Sequence, residues 1–202
     1  MISSLTAEKL ACARGERQLF SGLSFCVRAG QALAVEGVNG AGKTSLLRLI
    51  AGFLAPAAGR ILVKTGDSES DDAEERGRQV GWLGHLDGLK PQMTVGEQLS
   101  FYARLYAVGD ADLPSVLAQV GLGARAEFPC RYLSAGQRRR LALARLVVSR
   151  RPLWLLDEPF AALDTAGQAL VAHLMARHCG DGGIIIAATH DPLGLGNESL
   201  KL

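Results

Sequence analysis

The stretch "GVNGAGKT" (37–44) decides how the rest of the chain is read. It fits the pattern G-x-x-x-x-G-K-[ST], in which glycines let backbone N–H groups wrap phosphates. The apolar run "ALAVE" (32–36) precedes it directly, and "KTSLLRLIAGFLA" (43–55) follows with helical periodicity. Strand, loop and helix in that order are the context the pattern needs. Gly37, Val38, Asn39, Gly40, Ala41 and Gly42 form the loop. Lys43 reaches β- and γ-phosphates, Thr44 offers a hydroxyl to Mg²⁺, and Ser45, next on the helix, is expected among the nucleotide-binding residues. The chain is therefore expected to bind a nucleoside triphosphate.

Two further apolar runs read as strands buried on both faces: "LWLLD" (153–157) and "IIIAA" (184–188). The first ends in Asp157 and Glu158, a pair costly to bury without a cation nearby. Asp157 at the strand end can hold a metal, directly or through water. Glu158, one residue on, can polarise a water. The second run leads into His190, at the edge of the sheet where ligands bind in such folds. Weaker strands are expected near 8–13, 23–28, 60–63 and 80–83. Strands alternating with helices imply a parallel α/β sheet.

Helices are expected from Lys43 to about Leu54, from Thr94 to about Ala107, over 112–121, from Ser134 to about Ser149, and from Thr165 to Cys179 with Gly180 as the residue that ends it. The mostly helical stretch 88–150 breaks the alternation and is expected to form a helical subdomain. The polar segment "KTGDSESDDAEERGR" (64–78) reads as a solvated loop. In "LSAGQRRR" (133–140), Ser134 and Gln137 have capping-box spacing, and Gly136 removes a side chain beside the helix N-terminus. A capped N-terminus holds anions well, so this one is either an ordinary helix start or a second phosphate contact.

Composition bounds the rest. The chain has 202 residues, 48% hydrophobic and 21% charged, with a formal net charge of +2. That supports one large domain and gives no argument for nucleic acid. Cys12, Cys26, Cys130 and Cys179 lack metal-ligand spacing and are expected as free buried thiols. No apolar run approaches the ~20 residues of a membrane span, and the first residues lack the pattern of a signal peptide. A cytoplasmic location is the expectation, with any membrane role coming through a partner.

"GVNGAGKT", "LSAGQ", "LLDEP", "AALD" and "ATHD", in that order, resemble the nucleotide-binding subunits of ABC transporters over essentially the whole chain. The resemblance implies a P-loop NTPase core spanning 1–202, with a parallel sheet, a small N-terminal antiparallel sheet and an inserted helical subdomain. It implies Mg²⁺-dependent hydrolysis of ATP by a homodimer paired head to tail. Leu133, Ser134, Ala135, Gly136 and Gln137 then form the signature that faces the γ-phosphate on the partner's loop, with Ala135 in place of a glycine. Glu158 resembles the general base, His190 the switch histidine and Asp164 a dimer-interface residue.

Arg14 stands where an aromatic ring usually stacks on adenine, and a guanidinium can also stack there. His85 stands in place of a glutamine that contacts Mg²⁺ and the attacking water and couples to the membrane subunit. An imidazole can ligate metal or orient water. That replacement, the stretch "LGHLDGLKPQMTVGEQLSFYARLY" (83–106) and the short chain are similar to the haem-exporter ATP-binding subunits of bacterial cytochrome c maturation. The implied partner is an integral membrane permease, with no direct haem contact by this chain. A different ABC exporter or a soluble ABC-type ATPase of cofactor assembly is the alternative. A small-molecule kinase shares the phosphate loop but would not need "LSAGQ".

Overall fold

The computed structural model describes residues 1–109, 112–195 and 198–202. Chain order runs β1 (Ile2–Arg14), β2 (Arg17–Arg28), β3 (Ala32–Glu36), α1 (Lys43–Ile50), β4 (Ala58–Thr65), β5 (Ser68–Ser70), α2 (Ala73–Gly77) and β6 (Val80–Leu83). It continues with α3 (Val95–Leu105), α4 (Leu113–Gln119), α5 (Ala135–Ser149), β7 (Leu153–Asp157), α6 (Thr165–Gly180), β8 (Ile184–Ala188) and β9 (Glu198–Lys201).

Two sheets result. β2-β1-β4-β5 is antiparallel, and β6-β7-β8-β3-β9 is parallel. β7 and β8 are buried at every position, as runs with no polar alternation require. Their period-2 side chains divide between two cores. Trp154, Leu156, Ile185 and Ala187 pack with the helical side, against residues of α3, α5 and α6 such as Leu99, Leu143 and Met175. Leu153, Leu155, Ile184 and Ile186 pack with α1 and the antiparallel sheet, through residues such as Leu46, Ile50, Leu5 and Ile61. The parallel sheet is thus the middle layer, and its carboxyl edge is left open for the loops after β3, β6, β7 and β8.

The three strong strand assignments match residue for residue. Several boundaries differ. α1 ends at Ile50, four residues short of Leu54, and two of its last carbonyls then accept the Phe53 and Gly52 amides. α3 ends at Leu105. The segment 64–78 is not a loop: it holds the end of β4, the β4–β5 hairpin and α2, because Arg76 turns inward and donates to the carbonyls of Ile50 and Ile61. Gly180 lies inside α6, and Gly182, at φ 82°, takes the left-handed conformation expected of the residue after a helix. Cys12 and Cys130 are buried, Cys179 is half-buried, and Cys26 is exposed on the outer face of β2. Among the described residues no helix is long and apolar enough to cross a membrane.

Candidate functional site

β3 ends at Glu36 and hands the chain to the glycine loop. Gly42 has φ 111°, and a Cβ there would lie 3.2 Å from both Leu19 and Phe20, so both conformation and space exclude larger residues. Gly42 is also the N-cap of α1, and it offers no side chain to the first helical amides. In α2, α3, α4, α5 and α6 the N-cap side chains of Asp72, Thr94, Asp112, Ser134 and Asp164 each accept from a backbone N–H. α1 alone among these six leaves its N-terminal donors for something outside the chain, with the positive end of the helix dipole behind them.

Lys43 is buried, and its ammonium donates to the Gly37 carbonyl at 2.7 Å and approaches the Val38 carbonyl at 3.5 Å. The Thr44 hydroxyl donates to Asp157 Oδ2 at 3.0 Å and stands 3.3 Å from Oδ1. Asp157 is buried at the end of β7. Glu158 follows at φ 48°, and its side chain is about a third exposed, with Oε1 3.7 Å from His190 Nε2. His190 Nε2 also lies 3.3 Å from the Asn39 amide oxygen. The loops after β3, β7 and β8 therefore meet at one point.

A cleft of about 750 Å³ opens there, lined by Arg14, Asn39, Gly40, Gly42, Lys43, Thr44, Ser45, His85, Asp157 and Glu158 from the sequence reading. That volume suits a nucleotide. Of the remaining loop residues, Gly37 and Ala41 are half-buried and Val38 is exposed. The cleft also takes in Arg17, Leu19, Arg48, Trp82, Gly84 and Leu86, which sequence reasoning passed over. Arg17 had a usable signal: it pairs across the β1–β2 turn with Arg14, so the hairpin tip presents two cations to the cleft.

The residues of "LSAGQ" do not line this cleft. Ser134 caps α5 in a full capping box, accepting from the Gln137 amide at 3.2 Å while Gln137 Oε1 accepts from the Ser134 amide at 3.0 Å. Leu133 is buried beneath it, and Ser134 and Ala135 are exposed. A Cβ on Gly136 would sit 3.2 Å from the Ala162 carbonyl, so the signature rests against the loop that ends at Asp164. Asp164 itself caps α6, accepting from the Gly167 amide at 2.8 Å. Arg139 was missed altogether. It stands within the run "RRR" (138–140), where nothing local separates a buried arginine from its solvated neighbours.

Comparison with known proteins agrees with this geometry. The family model described as ABC transporter matches residues 20–161. The chain is 54% identical, over 98% of its own length and 97% of the relative's, to the cytochrome c biogenesis ATP-binding export protein CcmA of Rhodopseudomonas palustris strain BisB18. The protein of the same name from Bradyrhizobium diazoefficiens is 50% identical over the same shares. Among solved structures, an ABC transporter ATP-binding protein from Pyrococcus furiosus superposes with a TM-score of 0.85 at 22% identity, covering 99% of this chain and 98% of that one. The cbiO1 protein of Clostridium perfringens, part of the ABC transporter complex cbiONQ, gives 0.77 at 26% identity, covering 93% and 78%. The chain belongs to the ABC transporter family, as one of its ATP-hydrolysing subunits, and within that family to the group of cytochrome c biogenesis ATP-binding export proteins.

Proposed function

We propose that this subunit hydrolyses ATP to power haem handling for c-type cytochrome biogenesis, at the cytoplasmic face of the inner membrane. The carrying observation is the identity of about half of all positions with the cytochrome c biogenesis export proteins over nearly the whole of both chains. Each subunit pairs with a second copy and with an integral membrane permease. The permease meets the haem; this chain supplies work through a change of shape. The exposed Leu86, beside His85 on the loop after β6, supports docking of a partner there.

The site residues divide the reaction between them. The free N–H groups at the start of α1 and the Lys43 ammonium hold the β- and γ-phosphates. Arg14 lies over the adenine side of the cleft. Thr44 Oγ1 and the Asp157 carboxylate are hard oxygen donors already within contact of one another, which suits Mg²⁺. Among the described residues no cluster of three or more His, Cys, Asp or Glu could hold a metal, so the ion would rest on these two groups and on phosphate and water. When bound, Mg²⁺ neutralises phosphate charge.

Glu158 accepts the proton of the attacking water as its oxygen bonds to the γ-phosphorus and the bond to the β-phosphate oxygen breaks. His190 holds the γ-phosphate opposite Lys43, and His85 orients water from the loop after β6. Ser134 and Gly136 meet the nucleotide on the partner subunit's loop, and Asp164 lies at the dimer seam. That cross-dimer role suits the exposed caps Ser134 and Asp164, and all three residues lie outside their own cleft.

The test replaces the chromosomal gene with the Glu158→Gln form and stains membranes for covalently attached haem. Holo c-type cytochromes should vanish while b-type haem proteins persist. Normal c-type cytochromes in that strain would overturn the haem assignment and leave the ATPase intact.

A further inference from the structure

Arg139 stands on the second turn of α5 and is buried, with its side chain only 5% exposed. Its guanidinium joins three segments. One terminal nitrogen donates to the Gly84 carbonyl at 2.8 Å and lies 3.4 Å from Asp87 Oδ1. The other donates to the carbonyls of Asp157 at 2.7 Å and Glu158 at 2.5 Å. One planar fork thus ties the helix that begins at Ser134 to the loop carrying His85 and to the turn carrying Glu158.

The Glu158 turn needs such support. A glutamate at φ 48° occupies a region that residues with a Cβ avoid unless neighbours impose it. Its amide donates to the Ala188 carbonyl at 2.8 Å, and its carbonyl accepts from Arg139. The backbone is gripped on both sides, and the direction of the carboxylate follows from it. A buried guanidinium is an expensive way to make a fastener, since burial opposes its charge and Asp87 only partly offsets this. Its Nε finds no partner among the described residues. Apolar packing would hold α5 to the sheet at lower cost. What apolar packing lacks is an NH2 group whose two N–H donors reach consecutive carbonyls in a strained turn.

We propose that Arg139 is a positioning residue for hydrolysis: it fixes the Glu158 peptide in its left-handed conformation, so the carboxylate is aimed only while α5 is docked on the sheet. The proposal rests on the reading of Glu158 as the base. It gives α5 a mechanical link between the partner-facing Ser134 and the acid of its own subunit.

A double-mutant cycle tests it, with ATP turnover and equilibrium ATP binding measured on the full chain for Arg139→Gln, Glu158→Gln and the double variant. Arg139→Gln should lower kcat about 10²-fold, the scale of a misplaced catalytic group, with ATP affinity unchanged. The double variant should be no slower than Glu158→Gln alone. If the two losses multiply, or ATP affinity falls along with turnover, Arg139 does not act through Glu158 and the proposal fails. Near-normal turnover of Glu158→Gln by itself would sink the base reading and this proposal together, which a multiplicative result does not do. Should Arg139→Gln fold poorly, Arg139→Lys serves in the same cycle. One ammonium cannot span Gly84 and both carbonyls, so turnover should again fall without loss of ATP affinity, and should again add nothing to Glu158→Gln.

Discussion

The Lys43 ammonium lies 3.2 Å from Nε2 of His190, although 147 residues separate them in the chain. An ammonium can only donate, so Nε2 is the acceptor in this contact, whereas towards the Asn39 amide oxygen at 3.3 Å the same atom would have to donate; the two contacts call for different tautomers. The contact closes one side of the cleft with groups from the loops after β3 and β8. In the proposed reaction both take hold of the same phosphate.

Binding and hydrolysis should separate along this line. Lys43→Ala removes the buried point charge and should abolish ATP binding. Glu158→Gln should bind ATP normally and turn it over more slowly by roughly 10²–10⁴-fold, the range for losing a general base. Equilibrium binding of a fluorescent ATP analogue and a phosphate-release assay measure the two. Parallel losses in both variants would show that Glu158 shapes the pocket rather than the chemistry.

The Thr44–Asp157 pair carries the metal prediction. Thr44→Val keeps the shape of the side chain and removes the hydroxyl that meets Asp157 at 3.0 Å. The Mg²⁺ concentration for half-maximal turnover should rise by at least the roughly tenfold that even outer-shell changes cause. An unchanged Mg²⁺ requirement would place the ion elsewhere.

Ser134→Arg puts bulk on the exposed start of α5, where the partner's nucleotide is expected. The lost cap should cost about 1 kcal/mol of stability. ATP binding to the single subunit should survive, because the phosphate loop is untouched. ATP-dependent dimerisation, followed by light scattering, and hydrolysis should both fail. Loss of binding to the single subunit would mean that "LSAGQ" acts within its own chain.

Away from the site, His178 sets an acid-side weakness. Its ring stacks on Trp154 at 4.0 Å and 11°, with Nε2 3.2 Å from the Pro152 carbonyl. Burial drives its pKa down from 6.5 to about 4, and the hydrogen bonds only partly oppose this. Between those values the unfolded chain binds more protons than the folded one. The stability this ring contributes is therefore complete above pH 6.5, falls as the pH drops towards 4 and levels off below. The slope is at most about 1.4 kcal/mol per pH unit. His178→Phe keeps the stack and removes the titration, so its urea midpoint should fall less steeply over that interval. Identical slopes in the two proteins would contradict the assignment.

The sequence by itself determined whatever depends on neighbours along the chain. The runs "ALAVE", "LWLLD" and "IIIAA" became β3, β7 and β8 without a shifted residue, because uninterrupted apolar runs of that length have few alternatives to a doubly covered strand. The capping boxes at Thr94 and Ser134 formed because both partners of each bond lie within four residues. The phosphate loop was legible for the same reason. Only the tertiary structure decided which ends meet: that Glu158 faces His190, that Arg14 brings Arg17 with it to the cleft, and that 64–78 folds back because Arg76 finds carbonyls on α1 and β4. It also decided that, of three consecutive arginines, Arg139 alone is fully buried and grips the turn at Glu158. The physical reason is common to all of these. A buried polar group must be matched by partners, and those partners lie on segments far apart in sequence, so their identity exists only once the layers have packed.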